Sequence, residues 1–281
     1  MKRDIRSELS GILPQHLVGL VPRSFDVIGS KGQAVAVIEI PSELEPYGQA
    51  IGDALMRVQR NVRSVLSKET ERMGEFRVRD MKLLSGSPDT EVVHRESGCI
   101  FKVDPRRAYF SPRESTEREK VSSKVGPGER VLVMFSGIGP FAICIAKRQP
   151  KAYCVAVELN PDAHMYCLEN VRLNKLGDRV RAVLGDVREV CPTFSERFDR
   201  VLMPLPKGAY EFLDTAIPLV KPGGVLHFYH WASRDDPFSE GERLLASAAD
   251  EYGRSLEILE RVRVSQYSPS AWKVRIDARV G

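Results

Sequence analysis

The 281 residues carry 42 Lys+Arg against 38 Asp+Glu, a net charge of +4, and are 42% hydrophobic and 28% charged. That balance supports a packed core and excludes wholesale disorder, and no apolar run reaches the ~18 residues of a membrane-spanning helix. Five widely spaced cysteines (Cys99, Cys144, Cys154, Cys167, Cys191), with no Cys-x-x-Cys among them, argue against a metal site or disulfide framework and for reduced thiols in the cytoplasm. Met1-Lys2-Arg3-Asp4 is followed by no continuous apolar signal core.

In chain order, Ala34-Val35-Ala36-Val37-Ile38-Glu39-Ile40 is rich in β-branched residues and predicts a strand. Pro46 opens a predicted helix whose apolar residues Ile51, Leu55, Val58, Val62 and Val65 recur at spacings of four and three. Arg57, Arg60, Arg63 and Lys68 fall on its polar side, read as a solvated face ahead of an RNA-facing ridge. Short strands are expected at 76–83, 91–94 and 99–103. Ser122-Ser123-Lys124-Val125-Gly126-Pro127-Gly128 reads as a linker. It divides a small α+β domain, residues 1–121, from a second domain, residues 122–281.

Beyond the linker, strands and helices alternate. Strands are predicted at 130–135, 152–158, 181–184, 198–203 and 224–231, and helices at 141–148, 161–174, 208–219 and 240–252. This is the signature of an α/β fold, a parallel sheet with helices on both faces. Residues 256–264 and 271–280 have no helix between them and should form an antiparallel pair at the sheet edge.

The first strand of this domain runs into Phe135-Ser136-Gly137-Ile138-Gly139-Pro140-Phe141. Two glycines one residue apart let backbone approach a ligand at a helix N-terminus. Glu158 follows Gly137 by 21 residues and is placed to accept hydrogen bonds from ribose hydroxyls. Asp186, in Leu184-Gly185-Asp186, is placed to meet an adenine edge, and Pro204-Leu205-Pro206 should line the pocket at the end of the fourth strand. The combination indicates an adenosine ligand. The closing antiparallel strands favour S-adenosylmethionine over a dinucleotide. Set against these readings, the glycines serve as a tight turn and the prolines as a stiffened loop.

Several segments together resemble the archaeal and eukaryotic tRNA (guanine-N1)-methyltransferases acting at nucleotide 37, beside the anticodon, and their relatives, the wyosine-pathway methyl- and aminocarboxypropyl-transferases. They are Gly74-Glu75-Phe76-Arg77-Val78-Arg79, His94-Arg95-Glu96-Ser97-Gly98-Cys99, and Tyr109-Phe110-Ser111-Pro112-Arg113-Glu114-Ser115-Thr116-Glu117-Arg118. Met134-Phe135-Ser136-Gly137-Ile138-Gly139-Pro140-Phe141, Leu184-Gly185-Asp186-Val187-Arg188 and Leu205-Pro206-Lys207 complete the set. The likeness spans about residues 22–281, and the Tyr109–Arg118 stretch is its most family-specific part.

The resemblance implies a Rossmann-like class I methyltransferase sheet. It implies S-adenosylmethionine as cofactor and the tRNA anticodon loop as partner, and a monomer is expected. Glu117 matches the general base and Arg77 the arginine assisting at the guanine carbonyl. Tyr109, Pro204 and Pro206 fall at substrate positions. Arg118, Phe135, Ser136, Gly137, Gly139, Glu158, Leu159, Asp186 and Val187 fall at cofactor positions. The chemistry asks for these types, because guanine N1 must lose a proton as its new bond forms and charge then builds on O6, where a fixed cation helps. Spacing alone favours reading Glu117 as a helix-start carboxylate and Arg77 as a solvated strand residue, and the resemblance reverses that preference. Arg57, Arg60, Arg63, Arg106, Arg107 and Arg113 are candidate phosphate contacts. His94, His227 and His230 are assigned no role; the last two read as packed or capping groups.

Two positions depart from the family pattern. Val133 stands where an aspartate is usual, and Pro204 stands where an asparagine is, with the Met203 carbonyl as a candidate substitute. Longer relatives carry a further N-terminal domain for which the chain upstream is too short. These departures keep a wyosine-pathway transfer in view. A nicotinamide-dependent oxidoreductase on the same glycine turn, and a non-catalytic RNA-binding module, are the alternatives from other classes.

Overall fold

The computed structural model describes residues 4–30, 32–69, 80–266 and 268–281. It divides into two compact units, Met1–Thr116 and Glu117–Gly281.

The first unit holds a four-stranded sheet in the order β1 (Phe25–Ile28), β2 (Ala34–Ile38), β3 (Val62–Lys68), β4 (Met81–Gly86). The pair β1–β2 is antiparallel, β2–β3 parallel and β3–β4 antiparallel. A helix, Gly48–Val58, forms the crossover between β2 and β3. It buries Ile51, Ala54 and Leu55 against Ala34, Ala36, Ile38, Val62 and Val65. A separate hairpin pairs β5 (Val92–Glu96) with β6 (Cys99–Val103). It turns at Ser97 and Gly98, both with positive φ.

The predicted helix is therefore too long. It ends at Val58, and Val62 and Val65 belong to a strand. Helical spacing simply continues across the turn at 59–61, and β-branched residues at 62 and 65 then suit the pleated sheet they join. Of the predicted strand at 76–83, residues 76–79 and with them Arg77 lie outside the described residues.

The second unit is built on a seven-stranded sheet in the order β12 (Leu256–Gln266), β13 (Ala271–Val280), β11 (Val220–Ser233), β10 (Phe198–Met203), β7 (Arg130–Val133), β8 (Tyr153–Glu158), β9 (Val180–Leu184). Strands β11, β10, β7, β8 and β9 are mutually parallel, and β13 runs antiparallel to both β11 and β12. This is an α/β fold with a Rossmann-like parallel sheet and closing antiparallel strands.

The central strands are near-continuous apolar runs because both faces are covered. Leu132, Val155, Val201 and Leu226 are fully buried, each stabilising by roughly 1.5–3 kcal/mol relative to exposure. Strand β13 differs. Val274, Ile276, Ala278 and Val280 fill one buried face, while Lys273, Arg275 and Asp277 are buried on the other.

Helices at Pro140–Arg148, Pro161–Leu173 and Ser239–Glu251 match the pattern in the chain. The one predicted over 208–219 is broken into a 3-10 turn (Ala209–Phe212), a short α segment (Leu213–Ala216) and another 3-10 turn (Ile217–Leu219). Pro218 lacks the amide that an uninterrupted helix would need there. No helix of the described residues is long and apolar enough to cross a membrane.

Candidate active site

Strand order reverses between β7 and β10, so the loops leaving their carboxyl ends flank the crevice where open α/β sheets take ligands. The first loop is the glycine turn. Gly137 and Gly139 have φ of 55° and 85°, in the left-handed region that glycine enters without steric cost. A Cβ on Gly139 would lie 2.7 Å from Cys167 Sγ. Phe135 also has a positive φ, 55°, a strained setting for an aromatic residue. Its ring packs edge-on against Phe212, with centroids 4.9 Å apart.

Glu158 ties this turn to the next strand. Its Oε2 accepts the Gly137 N–H at 2.6 Å and its Oε1 the Asn160 N–H at 2.8 Å. Burial pushes its carboxyl above the ordinary value, against the opposing pull of those backbone donors. Each oxygen keeps a lone pair for a ribose hydroxyl. Asn160 caps the helix Pro161–Leu173 by accepting from the Asp162 and Ala163 amides. Asp186 caps Val187–Val190 in the same way, accepting from Arg188 N–H at 2.8 Å. Leu159 is half-buried and Val187 buried.

One group in the turn has no partner among the described residues. Ser136 Oγ is buried and makes no hydrogen bond. A buried hydroxyl left unpaired is costly unless something supplies the bond. With the remaining lone pairs of Glu158, the glycine backbone and the Phe135 ring, the turn fits an adenosine-containing group.

The second loop follows β10. Pro204, Leu205 and Pro206 are half-buried. Leu205 N–H donates to the Met203 carbonyl at 2.8 Å, and Trp231 N–H donates to the Pro206 carbonyl at 3.1 Å. The Met203 oxygen expected to stand in for an asparagine thus already accepts one bond within its own loop.

Glu117 lies on the helix Ser115–Ser123 and is 5% exposed. Its Oε1 accepts the Tyr229 hydroxyl at 2.7 Å and also pairs with Nη1 of Arg275. Arg275 is 1% exposed; its Nε binds Asp277 Oδ1 at 2.7 Å and its Nη2 binds Glu260 Oε2 at 2.8 Å. Asp277 Oδ1 is 2.6 Å from His227 Nδ1, and His227 Nε2 is 2.7 Å from Arg200 Nη1. Arg200 closes the chain on Glu129 at 2.8 Å. Burial alone would raise the Asp277 carboxyl, but His227 and Arg275 outweigh it and hold it well below the usual carboxylate range. Burial lowers His227, so the ring is neutral, donating from Nδ1 to Asp277 and accepting from Arg200 at Nε2.

The other expected positions are less uniform. Arg118 is fully buried, whereas Tyr109 is 45% exposed. Among the candidate phosphate contacts, Arg57, Arg63, Arg106 and Arg113 pair with Glu8, Asp89, Asp104 and Asp26 of their own unit. Arg60 and Arg107 are exposed. His94 Nδ1 accepts the Gly29 N–H at 3.2 Å, and His230 stacks on Phe228.

Tyr229, Arg275, Asp277 and His227 were not singled out as site residues from the chain. Their signal is present but ambiguous, because Lys273, Arg275 and Asp277 alternate with apolar residues as an ordinary solvent-facing strand edge does.

Residues 92–259 match the TRM5/TYW2 methyltransferase domain, and residues 5–90 match the TYW2 N-terminal domain. The chain is 39% identical over 268 residues to tRNA (guanine(37)-N(1))-methyltransferase Trm5b of Pyrococcus abyssi, covering 95% of this chain and 78% of that protein. The crystal structure of that Trm5b superposes with a TM-score of 0.85. The chain is 34% identical over 284 residues to the tRNA(Phe) (4-demethylwyosine(37)-C(7)) aminocarboxypropyltransferase of Pyrococcus horikoshii, covering 100% of this chain and 97% of that one. The structure of P. horikoshii TYW2 in complex with MeSAdo gives a TM-score of 0.81 at 33% identity, covering 100% and 99%. A complex of aTrm5 with tRNALeu gives 0.86 at 32% identity, covering 100% and 79%. By extent, identity and fold, the chain belongs to the TRM5/TYW2 methyltransferase family.

Proposed function

We propose that this protein transfers a methyl group from S-adenosylmethionine to N1 of guanosine 37 in tRNA, with Glu117 as the general base. The observation that carries the reading is the Glu117 carboxylate: it is nearly buried, with one oxygen bonded to Tyr229 and Arg275. Support comes from the 39% likeness to a guanine-37 N1-methyltransferase over 95% of the chain.

The glycine turn and Glu158 would hold the cofactor, which supplies an electrophilic methyl group on a sulfonium. The chain's own residues do the rest. Gly137 and Gly139 bring backbone close, Glu158 accepts from the ribose diol, and Ser136 Oγ gains the bond it lacks. Glu117 takes the N1 proton as N1 attacks the methyl carbon, and the pair of the broken carbon–sulfur bond stays on sulfur. Alignment of N1 with that bond is the main demand on the protein. Arg77 is matched by its motif to the O6 position and Tyr109 to the base pocket. The N1 edge is hidden in a duplex, so the substrate is an unpaired base of the anticodon loop drawn out of its stack. The enzyme acts in the cytoplasm, as a monomer.

A second reading rests on a separate observation. The N-terminal segment matches a TYW2 domain, and the chain covers 97% of an aminocarboxypropyltransferase but 78% of Trm5b. Incubation with labelled S-adenosylmethionine and either unmodified or 4-demethylwyosine-bearing tRNA, followed by nucleoside mass spectrometry, separates the two. N1-methylguanosine from unmodified tRNA is the expected product. An aminocarboxypropyl adduct on the tricyclic base alone would replace the first reading with the second.

A further inference from the structure

Glu117 is held asymmetrically. Oε1 receives both the Tyr229 hydroxyl and Arg275 Nη1, while Oε2 accepts no hydrogen bond among the described residues. The anchor is itself fixed. Arg275 is bound at Nε by Asp277 and at Nη2 by Glu260. Asp277 is held in turn by His227 and by Lys124 at 3.4 Å. The Tyr229 ring has Phe141 at 6.1 Å and the Lys273 ammonium 5.0 Å from its centroid. Phe141 follows Pro140, the first residue of the helix that leaves the glycine turn.

Stability alone does not account for this arrangement. Burying a guanidinium and two carboxylates, Glu117 and Asp277, carries a desolvation cost that apolar residues of similar size would avoid. A glutamate has three rotatable side-chain bonds, and a general base must sit within about 2.6–3.2 Å of the proton it takes. Fixing one oxygen with a guanidinium and a phenol removes that freedom and leaves a defined second oxygen.

We propose that Arg275 and Tyr229 are positioning residues for methyl transfer. They pin Oε1, so that Oε2 is the atom that receives the N1 proton. The antiparallel strands that close the sheet thereby become the support of the base. This rests on the reading of Glu117 as the base.

The test uses the full chain with S-adenosylmethionine and unmodified G37 tRNA, comparing Glu117→Gln, Tyr229→Phe, Arg275→Lys and Arg275→Met. Single-turnover rates are measured beside cofactor affinity by calorimetry and KM for tRNA. Tyr229→Phe should slow transfer about tenfold, the loss of one hydrogen bond to a charged group. Arg275→Met should lose about a hundredfold and Arg275→Lys should recover part of it, with cofactor affinity and KM within about twofold throughout, the order expected for a misplaced reacting group. Should Arg275→Met not fold, Tyr229→Phe, which removes one oxygen atom, still decides. Full rates in folded Tyr229→Phe and Arg275→Lys, beside an inactive Glu117→Gln, would overturn the positioning roles and leave the base standing. A fully active Glu117→Gln would remove the base and the positioning roles together. Rate losses that merely follow lost cofactor affinity would also overturn the proposal.

Discussion

The glycine turn and the Glu117 carboxylate are both defined by hydrogen bonds of about 2.6–2.8 Å, yet their partners lie at very different distances along the chain. Glu158 reaches Gly137 from 21 residues away and Asn160 from two. Glu117 is held by Tyr229 from 112 residues away and by Arg275 from 158. A site assembled within one strand–helix–strand unit is a property of that unit. A site assembled by the closing strands exists only once the whole sheet has formed.

The largest expected effect breaks the distant half. Glu117→Gln should cut the single-turnover methyl-transfer rate by roughly 10²–10⁴, the usual worth of a general base, while calorimetry finds the cofactor still bound. Retention of more than a third of the rate would mean that the carboxylate is structural.

Breaking the local half should cost stability as well as binding. Gly139→Ala places a Cβ against Cys167 at a backbone angle of +85°, and a strained residue of this kind costs about 1–3 kcal/mol. Urea unfolding measures it, and a variant as stable as the parent would show that the turn relaxes freely.

Glu158→Gln sharpens the contrast further. It should weaken cofactor binding about tenfold, as expected for hydrogen bonds to a charged acceptor, with the rate at saturating cofactor nearly unchanged. A fall in the saturated rate with unchanged affinity would assign Glu158 to the chemistry instead.

The smallest effect is a pH dependence in the network behind Glu117. Burial holds the His227 imidazole below its ordinary value of 6.5, so the unfolded chain binds that proton more readily than the folded one. The stability linked to His227 is therefore complete above about pH 6.5 and is lost as pH falls below it. Unfolding free energies measured between pH 7 and 5 should fall less steeply in His227→Gln than in the parent. Identical slopes would place the acid sensitivity elsewhere.

Much of the second unit was readable in advance. The run Phe198–Met203 and the run Ala271–Val280 have the bounds expected of them, because unbroken apolar or alternating stretches end at turn residues. The helix expected from residue 161 begins there, capped by Asn160. Misreadings came where a local pattern had two structural meanings. The spacing of Ile51, Leu55, Val58, Val62 and Val65 is helical throughout, yet only its first part is helix, since Val62 and Val65 pair alongside β2. The stretch after Gly208 has helical spacing but contains Pro218, and it folds as short turns.

The chain alone decides the strand–helix alternation, the glycine turn and its acidic partner, because each depends on side-chain periodicity and on backbone angles set by neighbouring residues. Tertiary structure decides which carboxylate is anchored, which of its oxygens takes the Tyr229 and Arg275 bonds, and that Lys273, Arg275 and Asp277 are buried rather than solvated. Burial of a charge depends on what covers it, and here the cover comes from Glu117 and Tyr229, brought to β13 only by the folding of the entire second unit.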